Sequence, residues 1–418
     1  MIRNGKTPPK KKGQRSLFYR ISAWLHLWLG LVTGIIMVVV CLCACIWVFN
    51  EEITGILEPE TKVAKRNQPV ILPSQLLHIA DSLYPNKKAG YAIYKQGSAV
   101  TLSLGQGRSG NTLLRVNPYT GEVINAKDHK EGETDFFRFI LNGHRFLWLP
   151  YEIGRPIVNY STLIFVIILI SGIVLWWPKK WTKAAKKQAL TIKTKASFKR
   201  VNYDLHNVLG FYSLIVLAIM ALTGMVYGIK WYSNGLYWVT SGGETLPELK
   251  RGGTSDSTQL GKFYTPAAIM DKCWKEVASA HPEAEGFYYS FADTSKPATG
   301  LNITIYPTAG KYYNSRSFAF DQHTGERLKN SHPVYDKSFE ENSGAGKLRR
   351  MNYDIHVGSI LGLPGKILAF FGALIGASLP VTGFLLWWGK RKKKPAKSKI
   401  AKPHVKQIKT LVPEPVAQ

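Results

Sequence analysis

The sequence predicts an α-helical membrane protein: a four-helix bundle carrying two outer α+β domains, the whole built as an internal two-fold repeat. Three observations predict it. Apolar runs at 24–49, 157–177, 209–231 and 367–388 each reach the roughly 20 residues needed to cross hydrocarbon. The formal charge of +28 is concentrated in three segments. Histidines stand at matching places in the two halves of the chain.

The charge sets the topology. Residues 1–20, 178–200 and 389–418 carry 7, 9 and 10 of the 55 Lys and Arg, against one acid, Glu414. The remaining 29 basic and 26 acidic residues nearly balance. Segments joined by an even number of crossings hold the excess, so both termini and the 178–200 loop are placed in the cytoplasm and the two large loops outside. Such a distribution argues against nucleic acid as the partner and for a lipid bilayer, whose anionic headgroups basic tails also touch. The first run is too long for a cleavable signal, and Asn50-Glu51-Glu52 follows it, so it reads as an uncleaved anchor. Cys41, Cys43 and Cys45 lie within that run and Cys273 stands alone, with no spacing for zinc or a disulfide framework. They read as packing residues.

Taken in order, residues 1–19 form a basic arm without periodicity. The first spanning segment, 20–49, presents Gly30-Leu-Val-Thr-Gly34 as a small-residue contact face. The first outer domain, 50–135, has a helix-period stretch at 74–84 and strand-like runs at 90–94, 99–104 and 112–116. Asn117-Pro-Tyr-Thr-Gly121 then turns into a further strand. An aromatic-rich interfacial segment, 136–156, holds His144 on a helix predicted over 135–149. The second span, 157–177, ends in Trp176-Trp177 against Lys179-Lys180, an aromatic belt.

After the cytoplasmic loop 178–200 the plan recurs. A spanning segment, 201–231, leads to an outer domain, 232–345, with a helix at 266–280 (apolar Ile269, Cys273, Trp274, Val277) and strands near 287–291, 301–306 and 317–320. Thr324-Gly-Glu326 falls where Thr120-Gly-Glu122 falls in the first half. An interfacial segment 346–366, a span 367–388 and a basic tail 389–418 close the chain.

The histidines carry the functional signal. Arg20-Ile-Ser-Ala-Trp-Leu-His26 and Arg200-Val-Asn-Tyr-Asp-Leu-His206 share Arg six residues before the His and Leu just before it, and Leu-Gly30 and Leu-Gly210 follow at the same spacing. His144 precedes Leu149-Pro150, Gly154-Arg155, Ser171-Gly172 and Trp176-Trp177. His356 precedes Leu363-Pro364, Gly365-Lys366, Thr382-Gly383 and Trp387-Trp388. Each half crosses twice, so the halves share an orientation and are related by an axis along the membrane normal. That pairs His26 with His206 on the inner side and His144 with His356 on the outer side.

An ionisable ring in a membrane needs a partner or a task. The plain alternative, a core histidine bonded to a neighbour such as Tyr203 or Asn207, would have to hold four times in two matched pairs. Paired imidazoles are the axial ligands of haem iron, and six-coordinate iron suits electron transfer. Gly30 and Gly210 give a flat macrocycle a small neighbour, and Trp24, Trp28, Tyr203 and Phe211 are placed to flank it. Arg20 and Arg200 inside, with Arg145, Arg155, Arg350 and Lys366 outside, are candidate propionate partners; positive-inside anchoring also explains the first two. No Cys-x-x-Cys-His occurs, so two non-covalent haems b are expected. Zinc or copper would want more ligands per level. A proton-coupled transporter would want acids or Lys at mid-depth, and the spans have none. Asp204 and Asp354, each two residues before a key His, suit ring orientation or helix capping.

These features resemble the PepSY-associated transmembrane family of bacterial inner-membrane proteins. The residues that match are Trp24-Leu-His26-Leu-Trp-Leu-Gly30, Asp204-Leu-His206, Asp354-Ile-His356-Val-Gly358, the Gly-x-x-Leu-Trp-Trp endings at Gly172 and Gly383, and the two Thr-Gly-Glu hairpins. The resemblance covers about residues 15–395 and implies two periplasmic PepSY-like α+β domains. Members are often iron-regulated, and one branch resembles siderophore-iron reductases with two b haems across four helices. That branch implies a ferric-chelate reductase that takes electrons to a ferric siderophore in the periplasm. Some relatives carry a fused flavin reductase. Gly105-Gln-Gly107-Arg-Ser-Gly110 follows a strand-like run but leads into the run at 112–116 and opens no helix, so no flavin or nicotinamide domain is expected, and the donor would be a separate quinol or reductase. The alternative is a non-catalytic accessory protein of an iron-uptake system, using its PepSY domains as binding modules.

Overall fold

A computed structural model describes residues 15–105, 111–130, 133–247, 253–259, 265–293, 295–328 and 334–391. Most of the expected basic arm and tail (1–14 and 392–418) lies outside the described residues.

Helix α1 (Leu17–Trp47) starts well before its apolar run, capped by the Ser16 hydroxyl accepting from the Tyr19 amide. A short α2 (Asn50–Leu57) follows, then α3 (Pro73–Leu83), which opens on a buried proline at the first helical position, where an N–H would have no partner within the helix. Strands β1 (Ala89–Lys95), β2 (Val100–Leu104), β3 (Asn111–Val116) and β4 (Val123–His129) form a meander. Then come α4 (Phe136–Phe146), α5 (Tyr151–Trp176), α6 (Lys183–Leu190), α7 (Phe198–Asp204), a π-helical turn (Leu205–Leu209), α8 (Gly210–Gly228) and α9 (Lys230–Ser241). Helix α10 (Pro266–Ala280), strands β5 (Gly286–Ser290), β6 (Leu301–Tyr306), β7 (Arg316–Phe320) and β8 (Arg327–Leu328), α11 (Gly344–Val357) and α12 (Leu363–Arg391) complete the chain.

Among the described residues four helices are long and apolar enough to cross a membrane: α1, α5, the continuous run from α7 through α8, and α12. Both α1 and α8 pack against α5 and α12, closing a four-helix bundle. Its core is Met37, Cys41, Cys45, Phe165, Leu169, Leu217, Ala221, Ala373 and Ala377. A Cβ on Gly34 would stand 3.2 Å from Pro380 Cβ, so the absence of a side chain there lets α1 and α12 approach.

The outer segments differ from the expectation of two domains. They form one antiparallel sheet in the order β4-β3-β2-β1-β5-β6-β7-β8. The join is β1 on β5, with Ile93 opposite Tyr288. Either meander alone would leave its first strand as an open edge of unpaired N–H and C=O groups, and pairing the two edges satisfies both. Ala92 and Tyr289, opposite each other at that join, are fully buried. Helices α3 and α10 lie side by side on one face, tied by the Ser74 hydroxyl donating to Asp271 at 2.6 Å, over a core that includes Leu102, Leu114, Trp274, Ile303 and Phe320. The Thr-Gly-Glu turns coincide in detail: Gly121 and Gly325 have φ of +74° and +66°, which L side chains resist, and each donates to the residue four before it.

The sheet is fixed to one end of the bundle. Tyr312 donates to Glu51 on α2 at 2.5 Å, and Lys95 reaches the same carboxylate at 3.8 Å. Glu58 binds Arg115 and Lys127 from the sheet. Burial opposes ionisation of Glu58, but the Lys127 ammonium and the Arg115 guanidinium outweigh it and hold the carboxyl below the usual glutamate range.

Candidate functional site

The bundle brings the four histidines into two pairs. His26 on α1 meets His206 in the π-helical turn, with ring centroids 6.1 Å apart and planes at 84°. His144 on α4 meets His356 on α11 at 6.2 Å and 57°. The first pair lies at the end of the bundle away from the sheet, the second at the end beneath it. On α1 the two levels are marked by His26 and by Val40, whose carbonyl meets His144. Fourteen residues at 1.5 Å each separate the levels by about 20 Å.

Each ring is held through Nδ1 by a neighbouring helix. His26 Nδ1 is 3.1 Å from both Ile168 O and Ser171 Oγ on α5. His206 Nδ1 is 2.9 Å from Thr382 Oγ1 on α12, His356 Nδ1 is 2.9 Å from Thr223 Oγ1 on α8, and His144 Nδ1 is 2.9 Å from Val40 O on α1. A carbonyl only accepts. The three hydroxyls direct their own protons back to helix carbonyls, Ser171 to Ile168, Thr382 to Ser378 and Leu379, and Thr223 to Ile219 and Met220. All four Nδ1 atoms must therefore donate, which leaves the lone pair on Nε2. Among the described residues no Nε2 of these four rings has a hydrogen-bond partner.

Glycine completes the seats. Cβ atoms on Gly172, Gly383 and Gly224 would stand 3.2, 3.1 and 3.2 Å from Cε1 of His26, His206 and His356. Each is preceded by the hydroxyl residue that holds the ring. His144 alone has a carbonyl and no Ser/Thr-Gly pair, since Cys43-Ala44 stands at the corresponding place on α1.

Beside His26 and His206 opens a cavity of about 500 Å³, walled mainly by apolar side chains that include Leu31, Phe165, Phe211, Leu379 and Trp387. Gly30 and Gly210 also line it, and a Cβ on Gly30 would meet nothing within 4 Å. Chemically, each level offers two neutral imidazole donors. Among the described residues no group of three or more His, Cys, Asp or Glu side chains is placed to hold a metal ion.

The family model of the PepSY-associated TM region matches residues 23–390. The chain belongs to this family. A comparison with curated proteins finds no match.

In this PepSY-associated protein the six cationic residues expected as propionate partners have different surroundings. Arg20 and Arg145 are exposed. Arg200 is paired with Asp204 at 2.8 Å, and Lys366 with Glu52 at 2.7 Å. Arg155 donates to the Tyr227 carbonyl and covers the Tyr151 ring. Arg350 is buried, donating to the carbonyls of Tyr313, Ser315, Val334 and Lys337, and burial lowers its guanidinium below the usual range. It holds the loop before β7 to the segment between β8 and α11. Arg15, which the sequence reading passed over, lines the cavity instead.

Of the expected flanking aromatics, Tyr203 and Phe211 line the cavity, whereas Trp24 and Trp28 do not and are 60% and 42% exposed. Trp176 and Trp387 take their place. Asp204 and Asp354 do not touch the rings. Asp204 accepts from the Lys193 amide and Arg200, and Asp354 from the Tyr312 amide and the Ser359 hydroxyl. Burial pushes the Asp354 carboxyl up, against the lowering pull of Ser359 and Tyr312. The ring-orienting role of Ser171, Thr223 and Thr382 was missed, although Ser171-Gly172 and Thr382-Gly383 match between the halves and a hydroxyl before glycine recurs in all four spans, the first being Thr33-Gly34.

Proposed function

We propose that this protein is a b-type di-haem cytochrome of the bacterial inner membrane that moves electrons to the periplasmic side and reduces iron(III) held in a siderophore or similar chelate. The observation that carries this reading is the pairing of two Nδ1-protonated imidazoles at each level. With a metal–imidazole bond of about 2 Å and about 1.1 Å from a nitrogen to its ring centre, two imidazoles on opposite sides of one metal stand about 6 Å apart. The two pairs stand 6.1 and 6.2 Å apart. The apolar cavity with open space at Gly30 fits a flat macrocycle at the first level, and at the second Gly224 leaves room for the His356 ring.

Haem b, when bound, supplies one-electron exchange at iron with no open position for substrate. The chain's own residues do the rest. His26 with His206, and His144 with His356, would hold the haem iron, and their Nδ1 bonds fix tautomer and ring direction. The apolar core between the levels excludes water. Arg15 is placed at the cavity for an anionic group. Basic segments at 178–200 and at both termini orient that end of the bundle toward the cytoplasm, placing the sheet in the periplasm. The same reading takes the chain as an internal two-fold repeat, supported by mirrored strand orders about the β1–β5 join and by one ring from each half at each level. A ferric chelate fits as acceptor because reduction weakens the hold of hard oxygen ligands on iron.

The test is a dithionite-reduced minus oxidised spectrum of the full-length protein purified from haem-replete cells. Two b-type haems per chain are expected; a colourless preparation overturns the reading and leaves the accessory role in iron uptake. The substrate is tested by anaerobic reoxidation of the reduced protein with ferric chelates, and a rate no faster than in buffer rejects the reductase assignment.

A further inference from the structure

The end of the bundle that holds His26 and His206 also carries an unusual basic surface. Eight lysines between 179 and 199 are exposed, three of them, Lys183, Lys186 and Lys187, on α6. No acid occurs between 178 and 200, and among the described residues none of the eight ammonium groups has an acidic partner; only the Arg200 side chain is neutralised, by Asp204.

Topology signalling needs the charge but no particular structure. Here the segment is folded and bolted to the cavity wall. Thr182 caps α6 by accepting from the Ala185 amide, and Ala189 is buried. The Trp176 indole donates to the Ala189 carbonyl at 3.2 Å, and the Tyr212 hydroxyl to the Leu190 carbonyl at 3.2 Å. The Lys193 amide donates to Asp204 at 3.1 Å. Trp176 stacks on Phe211 with centroids 3.7 Å apart and planes at 1°, and both rings line the cavity beside His26 and His206. The lysines of α6 are thus carried one aromatic layer from that cavity.

We propose that this face is the docking surface for an acidic, soluble one-electron donor protein. The inference rests on the cytochrome reading above and names the partner of its first level. Charge complementarity selects the occupant: a dense patch of one sign, rigidly placed over the entry point, steers an oppositely charged protein and raises its encounter rate. A quinol needs no such charge. In each encounter the donor loses one electron and the sheet-distal site gains one, with no atom exchanged.

The experiment uses the full-length protein in nanodiscs of zwitterionic phosphatidylcholine and an acidic [2Fe–2S] ferredoxin as probe. Two quantities are read across ionic strength: the Kd of oxidised ferredoxin, which does not depend on haem, and the rate of haem reduction by reduced ferredoxin. Joint replacement Lys183→Gln, Lys186→Gln and Lys187→Gln is expected to raise Kd and lower the rate about tenfold, and to flatten both salt dependences. The Lys→Arg triple variant should behave as the parent, and the dithionite-reduced spectrum should be the same in all three. Ferredoxin binding and reduction indifferent to the Gln variant, or absent at low salt, overturn the proposal. So does a Gln variant that loses only its binding to phosphatidylglycerol vesicles, which assigns the lysines to lipid. Absence of any haem spectrum rejects the cytochrome reading separately, with Kd still deciding the docking.

Discussion

His206 Nδ1 and Thr382 Oγ1 stand 2.9 Å apart, and the peptide around each is arranged to keep them so. Asn202, four residues before the histidine, donates to the backbone carbonyl of the same Thr382 at 3.1 Å. At the other level Asn352 donates to the Thr223 carbonyl at 3.1 Å while His356 bonds the Thr223 hydroxyl at 2.9 Å. Each Asn-Tyr-Asp-x-His segment therefore grips one Thr-Gly step on a neighbouring helix at two points. The amide fixes the backbone, the hydroxyl fixes the ring, and the glycine leaves room for it.

Removing the hydroxyl tests this grip. Thr382→Val should weaken haem binding at the sheet-distal level by about 10- to 100-fold, and Thr223→Val should do the same beneath the sheet, with Thr→Ser close to the parent. Titration of haem into the apo protein measures both. Equal affinities for all variants would leave the hydroxyls no role in setting the rings.

Filling the cavity should separate the levels. Gly30 faces open space, so Gly30→Leu is accommodated by the bundle but projects into the volume beside His26. The expected result is loss of about half of the b-type absorbance with the His144–His356 signal kept. His26→Ala should match it, and a variant retaining both haems would place the macrocycle elsewhere.

The single sheet should make the outer segments one cooperative body. Ile303 is fully buried on β6, and Ile303→Ala should cost about 2–5 kcal/mol in local stability. Because β5 is hydrogen-bonded to β1, amide exchange should quicken in β1 and β2 as well as in β5 to β7. Exchange confined to residues 286–328 would mean two independent units.

The Glu58 link to the sheet should depend on pH. Its folded carboxyl titrates below the unfolded value of about 4.3, so the link contributes fully above that value and is lost as pH falls through the lower, folded one. Protection of β3 and β4 amides, followed from pH 7 to pH 3, should drop over that acid range. In Glu58→Gln the protection should start lower and change little.

Much of the architecture is legible locally. Helix α10 falls at 266–280 as predicted, because Thr265 caps it, Pro266 opens it and Ile269, Cys273, Trp274 and Val277 share one face. Three of the four spanning helices begin earlier than their apolar runs by six or more residues, since helix hydrogen bonding continues past the hydrocarbon-like stretch into polar sequence. The π-helical turn at His206 has no sequence signature, and neither has the burial of Arg350 under loop carbonyls that lie far away in the chain.

By itself the sequence determined the four spans, the charge asymmetry and the matching of His26 with His206 and His144 with His356, because hydropathy, charge and spacing are properties of consecutive residues. Tertiary structure decided which edge strands meet, which helix supplies the Nδ1 acceptor, and that Trp24 and Trp28 turn away from the cavity while Trp176 and Trp387 wall it. Those choices depend on which surfaces pack after the helices assemble, and residues more than a hundred positions apart, such as His206 and Thr382, become neighbours only then.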